Sequence, residues 1–133
     1  MTARPRAIVP YLFYDDAAAA LDWYARVFGF EELGRFTNAQ GRVQNAEMRV
    51  GESDLWLDGG GRHLMRREGD ERIWIGVWVD DVEAMQKQVE SAGVEVEPPV
   101  DRSFGVRILT VPDPFGYSWG FMCRLGGASD TAQ

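Results

Sequence analysis

An internal duplication constrains the fold of this chain more than any other feature of its sequence. The segment Phe13–Asp16 opens an Ala-rich helical stretch that ends at Gly29, and the segment Trp78–Asp81 opens a second one that ends at Gly93. The acidic pairs of these segments are 65 residues apart and the glycines are 64 residues apart. Each half therefore predicts a strand, a capped helix of about three turns and further strands.

The apolar residues of each helical stretch recur on one face, as is typical of a helix that packs on a sheet. That face carries, in the first helix, Ala20, Leu21, Tyr24, Val27 and Phe28, and in the second, Val82, Met85, Val89 and Ala92. Asp15 or Asp16 is expected to cap the first helix. Asp80, with Glu83 three residues later, is expected to cap the second.

Strand candidates surround each helix, so that each half predicts a βαβββ module in an α+β fold. They lie at about 6–14, 31–37, 42–50 and 54–58 in the first half, and at about 72–79, 94–100, 104–111 and 117–123 in the second. The predicted division of the chain is a first module at 1–58, a polar, Gly-rich linker at 59–70, a second module at 71–125 and a disordered tail at 126–133.

Composition excludes several classes of function. Of the 133 residues 45% are apolar, too many for a disordered chain, and no apolar run approaches the roughly 18 residues of a membrane span. The 21 acidic residues exceed the 14 basic ones, and a net charge of -7 disfavours nucleic acid and favours a cationic ligand. Cys123 is the only cysteine, so no intrachain disulfide can form. Without a recognisable signal peptide, a cytoplasmic protein with no membrane or nucleic-acid partner is expected.

Several segments together carry a family resemblance. They are Asp15–Tyr24, Val27–Phe30, Val79–Val82, Ala92–Val94, Phe104–Arg107 and Asp113–Tyr117. In this order and spacing they resemble the vicinal-oxygen-chelate superfamily, which includes glyoxalase I, extradiol dioxygenases and bleomycin- or fosfomycin-resistance proteins. The resemblance implies that the two modules form a cup of curled mixed sheet, with the helices outside and the ligand site inside. It also implies a homodimer.

Enzymes of this superfamily hold a divalent metal with His and Glu side chains from four strands. The resemblance places those positions at Val9, Glu47, Trp74 and Gly120. Only Glu47 has a side-chain donor atom, whereas a catalytic metal needs about three protein ligands. A shift of one residue adds no donor, because it reaches Pro10, Ile73, Ile75, Trp119 and Phe121. We therefore expect no metal, no other cofactor and no catalytic residue, and we expect the only histidine, His63, to be a solvated linker residue.

Strand alternation assigns the remaining candidates to the face that lines the cup. That face is expected to carry Tyr11, Phe13, Asn45, Glu47, Arg49, Trp74 and Trp78. Gly120 is expected to leave room where a ligand carboxylate would otherwise project. Aromatic rings can stack on a flat ligand, and Glu47 and Arg49 can supply charged contacts. The duplication pairs Trp56 with Trp119, which predicts that both lie against helices in the core.

The sequence predicts a non-enzymatic protein of the metal-less, bleomycin-resistance-like branch, which sequesters an aromatic or cationic small molecule such as an antibiotic. A metal-dependent glyoxalase- or dioxygenase-type enzyme with misaligned ligands is an alternative. Metal-free catalysis with Glu47 as general base and a pure interaction module are two others. The structural alternatives are that Glu47 pairs with Arg49 or Arg107, and that Trp74 and Trp78 fill a core or an interface.

Overall fold

The computed structural model describes residues 3–60 and 73–127. These residues belong to two compact units that divide between Arg66 and Arg67. Each unit contains a βαβββ module, which confirms the predicted tandem α+β architecture. Most of the predicted linker, with His63, and residues 128–133 of the predicted tail lie outside the described residues.

The first unit begins with β1 (Tyr11–Phe13) and α1 (Ala17–Trp23), and α1 continues into a π-helical turn (Tyr24–Phe28). Three strands follow: β2 (Glu31–Thr37), β3 (Val43–Val50) and β4 (Ser53–Asp58). The strand order is β1-β4-β3-β2, with β1 parallel to β4 and the other neighbours antiparallel.

The first helix begins and ends as its sequence predicts. The Asp16 side chain accepts a hydrogen bond from the Ala19 amide at 3.1 Å, and Gly29 ends the helical segment in the left-handed conformation, at a φ of 77°. All five residues of the predicted apolar stripe are buried. The hydroxyls of Tyr14 and Tyr24 hydrogen-bond each other at 2.7 Å inside this core.

The second unit contains β5 (Trp74–Trp78), α2 (Val82–Ser91), β6 (Val100–Arg102), β7 (Val106–Pro112) and β8 (Ser118–Arg124), followed by a short 3-10 turn (Leu125–Gly127). The strand order is β5-β8-β7-β6, the same as in the first unit, and β5 is again parallel to β8. No helix among the described residues is long and apolar enough to cross a bilayer.

Two strands differ most from their predicted bounds, and prolines explain both differences. The first strand was expected at 6–14 but covers only Tyr11–Phe13, because Pro10 has no amide hydrogen for the ladder. The sixth strand was expected at 94–100 but covers Val100–Arg102, because Pro98 and Pro99 remove two consecutive donors.

The cap of the second helix was predicted one residue too early. Asp81, not Asp80, accepts a hydrogen bond from the Ala84 amide, at 3.0 Å. With Asp81 as the cap, Glu83 is the second residue of the helix and not the third, so it does not complete a capping box. Its carboxylate accepts a hydrogen bond from Arg107 at 2.9 Å.

Each sheet packs one face against the helix of its own unit. On that face the first unit buries Ala46, Met48, Leu55 and Leu57, and the second buries Leu109, Val111, Trp119 and Phe121. We call the opposite face, which is turned away from the helix of the same unit, the open face of each sheet. The alternation of buried and exposed residues along β3 and β7 distinguishes the two faces.

Candidate functional site

Strand register places five of the predicted site residues on the open face of the first sheet. Tyr11 lies opposite Trp56 on β4, and Trp56 lies opposite Glu47 on β3. Phe13 and Asn45 both lie opposite Asp58, and Arg49 lies opposite Asp54. Residues directly opposite each other on neighbouring strands point to the same side of a sheet. The open face therefore brings these residues together within one unit.

A chain of hydrogen bonds fixes Tyr11 on this face. The Asn45 amide donates to the Tyr11 hydroxyl at 2.7 Å, and that hydroxyl donates to the Asp58 carboxylate at 3.2 Å. The amide of Gly60 donates to the other carboxylate oxygen of Asp58 at 2.7 Å. Asp58 is only 3% exposed. Because both sides of the phenol oxygen are engaged, the Tyr11 ring is held in one position.

Trp56 is an aromatic residue of this face that the duplication assigned to the core, and that prediction is wrong. Its side chain is 37% exposed, and its ring meets that of Tyr11 edge to face at a centroid distance of 5.7 Å. Trp119 does lie in the core, where its indole nitrogen donates to Asp113 at 2.9 Å. Simple alternation with the buried Leu55 and Leu57 would have placed Trp56 correctly.

The ion-pair interpretation of Glu47 is also wrong. Arg49 donates to Asp54 at 2.9 Å, and Arg107 donates to Asp101 and Glu83. Glu47 is exposed and forms no ion pair with any residue in the described segments. Its carboxylate is therefore available to a ligand on the open face.

On the open face of the second sheet, the ring of Trp74 packs over two glycines. Gly76 and Gly120 are directly opposite each other on β5 and β8. A Cβ atom added at Gly120 would overlap the six-membered ring of Trp74. One added at Gly76 would lie 2.8 Å from the Met122 methyl group and 3.2 Å from that ring. The space that Gly120 was expected to offer a ligand is thus filled by the indole. The indole is 46% exposed.

Trp78, four residues further along β5, already contacts a cationic side chain. The guanidinium of Arg124 lies 4.6 Å from the centroid of the Trp78 ring, within the range of a cation–π interaction. Trp78 is 44% exposed. The two tryptophans predicted as ligand walls therefore differ, because Trp74 has glycines beneath it whereas Trp78 is paired with an arginine.

A groove of about 480 Å³ extends from Trp74 across the second unit. Its apolar lining consists of Trp74, Pro98, Val100, Phe104 and Ile108. The polar lining consists of Glu97, Arg102 and Thr110. Sequence reasoning missed this groove, because residues 94–100 were interpreted as a strand and Phe104–Arg107 as part of the family resemblance. The one available signal was Phe104 itself, an aromatic side chain within the segment Phe104–Arg107 that carries part of the family resemblance.

The positions at which the superfamily holds a metal do not provide a suitable donor set in this chain. Valine, tryptophan and glycine offer no side-chain donor, so Glu47 is the only ligand among the four positions. The indole of Trp74 moreover covers Gly120. Among the described residues no three histidine, cysteine, aspartate or glutamate side chains cluster as metal ligands would. The residues therefore do not fit the metal that the fold family implies.

The fold and these site positions define the class of the protein. Residues 6–121 match the Glyoxalase/Bleomycin resistance protein/Dioxygenase superfamily, and the chain belongs to this family. The uncharacterized protein Mb0911c of Mycobacterium bovis is 32% identical over 121 residues, which cover 85% of this chain and 80% of the relative.

Solved structures share the fold. TioX from Micromonospora sp. ML1 is 30% identical and superposes with a TM-score of 0.73, covering 91% of this chain and 100% of TioX. The bleomycin-binding protein of Streptomyces verticillus, solved with copper(II)-bleomycin, is 20% identical with a TM-score of 0.66, covering 90% of this chain and 97% of its own. The similarity to the bleomycin-binding protein is a similarity of fold alone.

Proposed function

We propose that this protein is a non-enzymatic binding protein that sequesters a small, flat, aromatic and in part cationic molecule. The observation that carries the proposal is the indole of Trp74, which lies on two glycines and is still almost half exposed. A ring supported from beneath offers its other side for stacking with little loss of side-chain entropy. Each such aromatic contact contributes about 0.5–1.5 kcal/mol beyond burial of area.

The open face of the first sheet supports the same kind of ligand. Tyr11 is held by its hydrogen bonds, and Phe13 and Trp56 lie beside it. Glu47 adds a carboxylate that is not neutralised by any described residue, which favours a positively charged group. The net charge of -7 acts in the same direction at longer range.

Two further observations favour binding over catalysis. The metal positions of the superfamily lack donors in this chain, as described above. The bleomycin-binding protein of Streptomyces verticillus, which has the same fold, was solved with copper(II)-bleomycin, so this fold can hold an antibiotic. Sequestration of a toxic small molecule, as in antibiotic resistance, is therefore the biological role that we propose.

Titration of tryptophan fluorescence with planar molecules tests the proposal. We expect saturable quenching by proflavine, a planar cation, at tens of micromolar or below. The Trp74→Ala variant is expected to bind about tenfold more weakly, which corresponds to the loss of one stacking contact. Ile8→Ala provides a matched control, because Ile8 is 89% exposed and precedes every strand.

The same samples distinguish binding from catalysis. Mass spectrometry of the small molecule after incubation is expected to return an unchanged mass, and elemental analysis of the purified protein no stoichiometric metal. Conversion of the molecule, or one equivalent of a divalent metal, would contradict the proposal in favour of an enzyme. Absence of quenching by planar cations, anions and neutral molecules alike would exclude the binding function.

The assembly and location of the protein also belong to this proposal. We expect a homodimer, as the family resemblance implies, and a cytoplasmic location. Sedimentation of the purified protein as a monomer at micromolar concentration would contradict the first expectation.

A further inference from the structure

We propose that the groove of the second unit binds an elongated zwitterion, with an aromatic ring and a positive group at one end and a negative group at the other. This inference rests on the proposed binding function and adds the charge pattern of the ligand. It follows from where the groove carries its apolar and charged side chains.

The register of the second sheet gives the groove a direction. Thr110 lies opposite Gly120, which the Trp74 indole covers, so Thr110 marks the end of the groove next to that ring. Arg102 on β6 lies opposite Val106 on β7. Val106 precedes Thr110 by four residues on β7. Four residues of extended strand span about 13 Å. Arg102 therefore lies at a distance from the tryptophan end of the groove that a short, extended ligand can span.

The residues between the two ends are apolar. Ile108 lies midway along β7 and pairs with Val100 on β6, which is 52% exposed. Phe104, at 64% exposure, completes this wall beyond the strand. A ligand that spans the groove thus contacts apolar surface between its charged ends.

A carboxylate lies at the tryptophan end. Glu97 and Thr110 line this groove and also an adjoining one of about 540 Å³, which places Glu97 on the Thr110 side. A positive group there would meet both the Glu97 carboxylate and the face of the Trp74 ring.

Glu97 and Arg102 do not neutralise each other. Neither forms an ion pair with any residue in the segments 3–60 and 73–127. By contrast, Arg35, Arg49 and Arg107 are all paired with carboxylates. Glu97 and Arg102 thus lie at different ends of one groove, and neither has an ion-pair partner in the described segments. They are complementary to a ligand whose positive group lies near Glu97 and whose negative group lies near Arg102.

Phenylalanyl-glycyl-glycine is a suitable probe, because its ring and ammonium lie at one end and its carboxylate at the other. An extended chain of this length spans about 10 Å. We expect calorimetry to show saturable binding, and expect N-acetylation or C-terminal amidation to weaken it about tenfold each, since each removes one charge-assisted contact.

Matched variants assign each charge. Glu97→Gln is expected to narrow the difference in affinity between the free and N-acetylated peptides to the part that the Trp74 ring contributes. Arg102→Gln is expected to bind the amidated and free peptides equally. Arg26→Gln and Glu52→Gln change the net charge by the same amounts at exposed positions of the first unit and should leave the order of affinities unchanged. Binding of all three peptides with equal affinity would overturn the inference, and so would an order that neither groove variant alters.

The outcome also separates this inference from the proposed function. If proflavine binds and none of the peptides does, the zwitterion inference is wrong and the binding function stands. If neither proflavine nor any peptide binds, both are wrong.

Discussion

Gly120 and Trp74 depend on each other for the geometry of the second open face. The family resemblance places a metal-ligand position of the superfamily's enzymes at residue 120, and here the absence of any side chain leaves room for an indole to lie across the strand. The glycine therefore does more than remove a ligand atom. It allows the ring that we propose as the stacking surface to pack against the sheet.

The Gly120→Ala variant is expected to displace the Trp74 ring, because the new Cβ would overlap it. The near-UV circular dichroism of the protein should change, and proflavine should bind about three- to tenfold more weakly. Gly34→Ala is the matched control, since a Cβ at Gly34 meets no atom within 4 Å. A Gly120→Ala variant with an unchanged near-UV spectrum and wild-type affinity would show that the glycine does not position the ring.

The hydrogen bonds of Tyr11 predict a stability effect. Tyr11→Phe removes the donor to the buried Asp58 and the acceptor for Asn45, and should lower the free energy of unfolding by about 1–2 kcal/mol in urea titrations. Asn45→Ala should cost less, because the Tyr11 to Asp58 bond remains. Equal stability of Tyr11→Phe and the wild type would mean that this chain of bonds adds nothing.

At the scale of elements, the caps show what sequence patterns can predict. The start of α2 was recognisable, but two adjacent aspartates both matched the sequence pattern of an N-cap. In the structure Asp81 is the residue that caps the helix. Asp81→Ala should lower the free energy of unfolding by about 1 kcal/mol. Asp80→Ala should cost no more than about 0.3 kcal/mol, through the helix dipole alone. Comparable losses for both variants in urea titrations would contradict this assignment.

Arg107 connects three elements of the second unit. Its guanidinium, on β7, donates to Asp101 on β6 at 2.6 Å and to Glu83 on α2 at 2.9 Å. The hydrogen bond from Arg107 lowers the pKa of Asp101 below its ordinary value of 3.8, and raises the pKa of Arg107. In the sequence, Arg107 stood out as part of the family resemblance and as an alternative partner of Glu47. Its partners lie six and 24 residues away, and only the folded chain brings them together.

The pH dependence of stability tests this connection. Because the pKa of Asp101 is lowered in the folded protein, its contribution is present above 3.8 and is lost as the pH falls through the lowered pKa. Arg107→Gln should therefore have a lower Tm than the wild type at neutral pH, and the difference should narrow in acid. Arg26→Gln, which breaks an exposed pair with Asp22, is the control. A difference in Tm that persists unchanged into strong acid would contradict this account.

The fold was predictable from the sequence because helix periodicity, capping aspartates and terminal glycines recur in both halves. The ends of the strands near Pro10 and near Pro98 and Pro99 were harder to predict. They depend on which backbone amides find a carbonyl on the neighbouring strand. The faces of β3 and β5 followed from alternation. The face of Trp56 was predicted wrongly. Matching Trp56 to Trp119 shifted the alignment of the two halves by one residue relative to the buried Leu55 and Leu57.

At the scale of the whole molecule, the two units share a topology but not a surface chemistry. The first open face has the Asn45–Tyr11–Asp58 hydrogen bonds and an available Glu47. The second has a tryptophan on glycines and an arginine stacked on Trp78. Duplication predicts the common scaffold, whereas the binding that we propose depends on side chains that differ between the halves, so aligning one half on the other cannot predict it.

The indole N–H resonances of the five tryptophans test the central claim most directly. Each can be assigned by a single Trp→Phe substitution and followed during titration with proflavine. Trp119, whose indole nitrogen donates to Asp113 in the core, serves as an internal reference. We predict saturable shifts of the Trp74 resonance, with that of Trp119 unchanged. A titration in which Trp74 does not respond while the protein binds the ligand would contradict the account.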